Sequence, residues 1–326
     1  MATVLITGVS GFVGSHLLDA TVEQKRHHVI GVVRNPDVAR RLENRGLDVR
    51  VADLVQPSSL QGVTKGVDVV VHLAGRMRFH DPWDVLFANN VEGTKQLALD
   101  AVQQGVRHFV YISSTEATGP VDVIPGVESA AYHPSYEYGR SKMLAEQWLR
   151  DHAVGLPVTI LRPTGIYGPD DTYITLPVLG AVRRGLMRML PSKTADHYIQ
   201  FTYVSDVVRG ILAAVENPGK AGGETFIVAS DDYYSYQDLF STLAELLDAP
   251  RPRVTVPGWL VRGVLRYFEW SNRRKGRDEF IFHGSAVDDM RTNRVYSNAK
   301  IKQVLGFAPQ YTLRQGIAEI LATKEM

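Results

Sequence analysis

Tyr138 and Lys142 stand four residues apart in Tyr138-Gly139-Arg140-Ser141-Lys142. On a helix that spacing puts both side chains on one face. A free phenol, with a pKa of about 10, is a poor acid or base at neutral pH. An ammonium beside it favours the phenolate and draws the pKa toward the working range. Such a tyrosine can protonate a carbonyl oxygen or take a proton from an alcohol. The pattern alone is weak, because a tyrosine four residues before a lysine is usually a surface pair. Its place in the chain strengthens it. It follows an apolar run that ends in Tyr111-Ile112-Ser113-Ser114-Thr115-Glu116. A hydroxyl there can hydrogen-bond a reacting oxygen and position it for the tyrosine. Ser114 is the candidate. The plain alternative, a serine that satisfies the loop backbone, suits Ser113.

A second constellation lies at the N-terminus. Val4-Leu5-Ile6-Thr7-Gly8-Val9-Ser10-Gly11-Phe12-Val13-Gly14 reads as a strand, a tight turn and a helix start. Gly8 permits the turn, Gly11 lets backbone approach a pyrophosphate, and Gly14 lets the helix pack on the strand. The helix start supplies unpaired N–H groups and partial positive charge. The spacing is GxxGxxG, one residue longer than GxGxxG. A plain strand-to-helix turn is the alternative, but this turn opens a βαβ unit at the first strand. A nicotinamide dinucleotide is therefore expected here. Arg34 stands twenty residues beyond Gly14, where an acidic residue would bind a ribose 2′-hydroxyl. A guanidinium suits a 2′-phosphate instead. That favours NADP(H), with NAD(H) left open; a solvated arginine opening the next helix is the alternative.

These residues must be positioned by regular elements. Val4–Thr7, Val29–Val33, Val49–Val51, Val69–His72, Phe109–Ile112 and Val158–Leu161 read as buried strands. Val13–Glu23, Pro36–Asn44, Val85–Gln104 and Tyr138–His152 read as helices between them. This alternation predicts an α/β, doubly wound parallel sheet, a Rossmann fold. Beyond Tyr167 the regularity fades. Phe226–Ala229 reads as one more strand, and Thr202–Val215 as a strand leading into a helix that rejoins the sheet. Residues 1–168 with 200–230 are expected to bind the dinucleotide. Residues 169–199 with 231–326 are expected to form a smaller, mostly helical cap for substrate.

The bulk numbers restrict the partners. The chain has 326 residues, 44% hydrophobic and 22% charged, with a formal charge of +1. No whole-protein field draws in nucleic acid or anionic membrane. There are no cysteines, so disulfides and thiolate chemistry are excluded. Ten histidines show no ligand spacing, and no metal site is expected. No leader pattern or membrane-length apolar run is found, and a cytoplasmic protein is the expectation.

Together the Thr7–Gly14 turn, Ser114, the Tyr138–Lys142 pair and the chain length resemble the extended short-chain dehydrogenase/reductases, the NAD-dependent epimerase/dehydratase superfamily. Asp53 and Leu54 resemble that family's adenine-contacting segment, and Leu73, Ala74 and Gly75 its fourth-strand turn. Asn90 resembles its helix asparagine; Pro163, Thr164, Gly165 and Ile166 resemble the loop beside the nicotinamide. The resemblance covers nearly the whole chain. It implies that Thr7, Gly8, Ser10, Gly11, Phe12, Val13, Gly14 and Arg34 hold the cofactor with these residues, and that Tyr138 and Lys142 touch it. It also implies a homodimer through Val85–Gln104 and Tyr138–His152.

Two branches of the family compete. Tyr111–Pro120 resembles the 3β-hydroxysteroid dehydrogenase pattern, and Arg34 the dihydroflavonol reductase branch. Nucleotide-sugar enzymes typically carry a tyrosine where this chain has Thr118 and an arginine where it has Ile199-Gln200, and the dehydratases among them an Asp-Glu pair where it has Thr115-Glu116. A reductase or dehydrogenase of an apolar substrate is therefore expected. A nucleotide-sugar epimerase or dehydratase is the alternative, and a non-catalytic NADP-binding scaffold or sensor is the second.

The stretch 256–274 is apolar and helical, with Trp259, Tyr267, Phe268 and Trp270 flanked by Arg262, Arg266 and Arg273-Arg274. It suits a wall of a lipophilic pocket or a membrane surface. A helix packing on its own domain is the plainer reading, and membrane contact is not favoured. Arg291 and Arg294 suit an anion clamp, against which stands ordinary salt bridging.

Overall fold

On β1 (Thr3–Thr7), Val4 and Ile6 enter one apolar cluster and Leu5 enters another. On β4 (Val69–His72), Val69 and Val71 go one way and Val70 the other. The strand period of two sends alternate residues to opposite faces, and both faces are covered. That is why these runs read as continuously apolar. The computed structural model describes residues 1–78, 81–274, 283 and 285–323.

The other main strands are β2 (His28–Val33), β3 (Asp48–Val51), β5 (His108–Ile112), β6 (Val158–Pro163) and Thr225–Val228. Across the sheet the order is Thr225–Val228, β6, β5, β4, β1, β2, β3. All six pairings are parallel. The chain winds outward from β1 to β3, returns to β4 on the other side of β1, and winds outward again. The crevice beyond the ends of β1 and β4 is the topological switch point, where ligands bind in such sheets.

Helix α1 (Phe12–Gln24) and the Val204–Glu216 helix cover one face through Leu17, Leu18, Val207 and Ile211. The Gly93–Gln103 and Glu137–His152 helices cover the other through Leu97, Ala98, Ala145 and Leu149. The helix expected over Val85–Gln104 carries a π-helical segment at Phe87–Glu92. Helix α2 (Pro36–Glu43) begins as expected, with the Asn35 side chain accepting from Asp37 N at 2.8 Å.

The strand and helix expected over Thr202–Val215 are present as Phe201–Tyr203 and Val204–Glu216; the strand pairs with Gly165–Tyr167 in a separate two-stranded sheet. The outer edge of β6 is already taken by Thr225–Val228, as far as Val228 opposite Pro163. Only the following helix packs back on the main sheet. A third apolar cluster, including Leu179, Tyr203, Leu239, Phe240 and Ile317, lies among the later elements.

Candidate active site

The Glu137–His152 helix meets the turn after β5 at backbone contact. A Cβ on Gly139 would sit 2.3 Å from Glu116 O, so only glycine permits the approach. This brings Tyr138, Lys142 and Ser114 to one cavity of about 410 Å³. Ser114 caps the short Thr115–Ala117 turn, its Oγ accepting from Glu116 N at 3.1 Å. Lys142 Nζ donates to Ile112 O at 2.8 Å and stands 4.7 Å from the Tyr111 ring centre.

The protonation pattern differs from the expectation. Burial raises the Tyr138 phenol above its usual value, the Glu116 carboxylate adds to this, and a hydrogen bond with Ser114 opposes it. Lys142 is not among the causes. Its own pKa is lowered to about 8 by burial, with the Glu146 carboxylate one turn on acting the other way. Desolvation therefore outweighs the expected ammonium effect in the protein alone.

Ser113 does not serve the loop backbone with its hydroxyl, which donates to Glu146 Oε1 at 2.5 Å. Glu146 is fully buried and also accepts from Tyr132 Oη at 2.7 Å and from Arg162 Nη2 at 2.6 Å. This network ties the end of β5 to the helix that carries Tyr138 and Lys142.

The glycine turn fits a dinucleotide. Gly8 has φ of +71°, and a Cβ there would come within 2.8 Å of Ala74 N. A Cβ on Gly14 would stand 2.1 Å from Gly8 O. Any larger residue would shift the turn or fill the space beside it. Thr7, Gly8, Ser10, Gly11, Arg34, Asp53, Leu54, Leu73, Ala74 and Gly75 line one hollow. Gly8, Gly11, Leu73 and Gly75 also line the cavity that holds Tyr138, with Phe12, Val13, Gly14, Pro163, Thr164, Gly165 and Ile166. The two hollows thus share the turn, as a ligand running from Arg34 to Tyr138 requires. Arg34 has no hydrogen-bond partner among the described residues. Asn90 lines neither hollow. Its Oδ1 accepts from Arg76 N at 2.7 Å, and its Nδ2 donates to Arg76 O and Ser141 Oγ, each at 2.9 Å. It holds the loop after β4 against the Tyr138 helix.

Beneath the crevice, His72 joins three elements. Thr94 spends its hydroxyl proton on Asn90 O at 2.7 Å, so Thr94 Oγ1 accepts from His72 Nε2 at 3.0 Å. His72 Nδ1 then accepts from Thr7 Oγ1 at 2.7 Å. Burial, and secondarily Lys142, push the His72 pKa down to about 3. In the unfolded chain it titrates near about 6.5. Below that pH the unfolded state binds a proton that the fold excludes. We predict that stability falls as pH drops from about 6.5 toward about 3, with His72 contributing up to about 1.4 kcal/mol per pH unit. Urea midpoints at several pH values check this. His72→Gln should flatten the slope; an unchanged slope would clear His72 of the effect.

Arg294 was a candidate anion clamp, but its two terminal nitrogens are already engaged, leaving only the buried Nε without a hydrogen-bond partner among the described residues. Nη1 reaches both Glu116 carboxylate oxygens at 2.7 Å, and Nη2 reaches Asp289 Oδ1 at 3.1 Å. Glu116, Asp289 and Arg294 all line the cavity. Burial raises the Glu116 pKa while Arg294 opposes it. Sequence reading missed this ion cluster, because Glu116 stands 178 residues from Arg294. Arg291 packs against Gly258 rather than lining the cavity. No residue of the Gly258–Arg274 helix lines it either, which corrects the pocket-wall reading; the Arg273 side chain lies outside the described residues.

Residues 4–229 match the NAD dependent epimerase/dehydratase family. A 3-beta-hydroxysteroid dehydrogenase of Mycolicibacterium neoaurum is 26% identical, the match covering 98% of this chain and 91% of that one. A UDP-glucose 4-epimerase of Vibrio cholerae is also 26% identical, over 97% and 94% of the two chains. A solved short-chain dehydrogenase/reductase superfamily protein from Agrobacterium tumefaciens, with bound NAD, superposes with a TM-score of 0.75. It is 25% identical, the match covering 98% of this chain and 96% of that one.

Proposed function

We propose, from the premise that this chain belongs to the NAD dependent epimerase/dehydratase family, that it is an oxidoreductase acting between a carbonyl and a secondary alcohol on an apolar substrate. The bound nicotinamide dinucleotide supplies or accepts the hydride. The glycine turn and the start of α1 hold its pyrophosphate. Tyr138 is the acid/base, and its raised pKa keeps the phenol protonated and ready to donate to a carbonyl oxygen. Ser114 orients and polarises that oxygen. Lys142, whose Nζ stands 3.4 Å from where a Gly75 Cβ would be, contacts the cofactor where the two hollows meet. Residues 1–168 and 200–230 bind the dinucleotide, and 169–199 with 231–326 cap the substrate.

One observation carries the choice of substrate. The cavity beyond Ser114 is walled by Val178, Met187, Ile199, Phe201, Leu239 and Phe240, and the one arginine that lines it among the described residues, Arg294, is neutralised by Glu116 and Asp289. A nucleotide diphosphate would bring two negative charges to a cluster that already carries an excess carboxylate. An apolar ketone or alcohol meets no such cost.

NADP(H) is the preferred form in this reading, because the Arg34 guanidinium, unpartnered among the described residues, suits a 2′-phosphate. The experiment runs NADPH and NADH side by side on apolar ketones, with UDP- and dTDP-sugars as the contrast. NADPH oxidation on an apolar ketone is expected. Redox-neutral sugar interconversion would overturn the substrate assignment, and a preference for NADH would overturn the role of Arg34. The subunits associate through the Gly93–Gln103 and Glu137–His152 helices, the first of which exposes Leu99 and Val102. A monomer in sedimentation at assay concentration would remove that part of the reading.

A further inference from the structure

Among the described residues, the Gly258–Arg274 helix packs through one side only. Val261 and Leu265 are half-buried, and the helix contacts the Ala286–Asp289 helix and the Met189–Pro191 strand. The opposite side is apolar and open. Trp259, Gly263, Tyr267, Trp270 and Arg274 recur at helical spacing along one stripe, with Leu260 and Val264 beside it. Trp259 is 72% exposed, Tyr267 63% and Trp270 50%, a contiguous apolar stripe with no partner among the described residues, of the kind that marks an interaction surface. Next to the helix, the register partners Met189 and Val254 are exposed as well.

Charge identifies the partner. The helix sequence holds four arginines and a single acid, Glu269. Glu269 pairs with His283, and Arg262 pairs with Asp288. Arg266 is exposed with no ion pair among the described residues, and the exposed Arg274 guanidinium lies 4.0 Å from the Trp270 ring centre. Exposed Arg188 and Arg253 flank Met189 and Val254. Trp and Tyr on the apolar arc with arginines at its border is the arrangement of a helix lying in a lipid interface. A soluble protein partner would not require the cations to edge the aromatic face in this way.

We propose that the exposed face of the Gly258–Arg274 helix docks this protein on anionic phospholipid bilayers. Trp259, Tyr267 and Trp270 insert at headgroup depth, while Arg266 and Arg274 meet lipid phosphates. The helix rests on the Ala286–Asp289 helix, and Ala286, Asp289 and Met290 line the catalytic cavity. The docked face therefore stands one helix away from that cavity. Uptake of an apolar substrate from the lipid rests on the proposed function; docking itself does not.

The test uses the cofactor-free full chain and vesicles of phosphatidylcholine with or without phosphatidylglycerol. Flotation with the anionic vesicles is expected, weakened by added salt and by about fivefold for each arginine removed in Arg266→Gln and Arg274→Gln. The Trp259→Ser/Tyr267→Ser/Trp270→Ser variant should lose flotation while keeping its urea midpoint. Tryptophan emission gives a second readout. Trp83 lies under Arg140 and Trp148 stacks on His152, so a blue shift on vesicles should vanish in Trp259→Phe/Trp270→Phe. Absence of flotation, flotation that survives the triple variant, or a solution dimer that the triple variant splits would each overturn the proposal. Because no substrate or turnover is involved, its failure is separate from failure of the proposed chemistry.

Discussion

Replacing Tyr138 by Phe is expected to lower kcat by about two to four orders of magnitude and to leave cofactor binding unchanged. The substitution removes one hydroxyl from a side chain that is 8% exposed, so the ring still fills its place. What is lost is the hydroxyl that the proposed mechanism uses as proton donor beside Ser114. Fluorescence titration with NADPH and steady-state turnover separate the two effects. Retained turnover would sink the assignment of Tyr138. The raised phenol pKa adds a direction. Carbonyl reduction, which needs the protonated phenol, should hold steady across neutral pH, whereas alcohol oxidation should gain as pH rises.

The second large effect is on stability. Arg162→Met is expected to destabilise the fold by about 3–5 kcal/mol. Arg162 is 1% exposed, and its guanidinium is the principal cation on the fully buried Glu146 carboxylate. Removing it leaves that charge with Ser113, Tyr132 and the partly exposed Arg150. Hydrogen bonds from hydroxyls do not replace a buried countercharge. Urea unfolding measures the loss. The double variant Arg162→Met/Glu146→Leu should recover a good part of it, since it removes both charges. A single-variant loss below about 1 kcal/mol would show that Glu146 does not depend on Arg162. Because this network holds Ser113 and the Tyr138 helix together, the single variant should also lose turnover before it unfolds.

The parts of the site that were legible in sequence share a property. Gly8, Gly11 and Gly14 lie within seven residues, and Tyr138 and Lys142 within one helical turn. Their geometry follows from local backbone rules, so spacing predicts it. The sheet was legible for a similar reason, since strands buried on both faces must be apolar throughout. Ser113 was misjudged, because its partner Glu146 belongs to another element. Asn90 was recognised by resemblance, yet its amide serves the Arg76 backbone rather than either hollow.

By itself, then, the sequence determined a parallel α/β sheet, a dinucleotide turn at its first strand and a tyrosine–lysine pair on one helix. Only the tertiary structure decided the rest. It decided that Phe201–Tyr203 leaves the main sheet, that Arg294 is neutralised by Glu116 and Asp289, and that the Gly258–Arg274 helix turns its aromatics outward. It also reversed the expected direction of the Tyr138 pKa. The physical reason is common to all four. Backbone geometry is set by neighbours a few residues away. Burial, countercharge and the choice of facing surface are set by residues that only folding brings together.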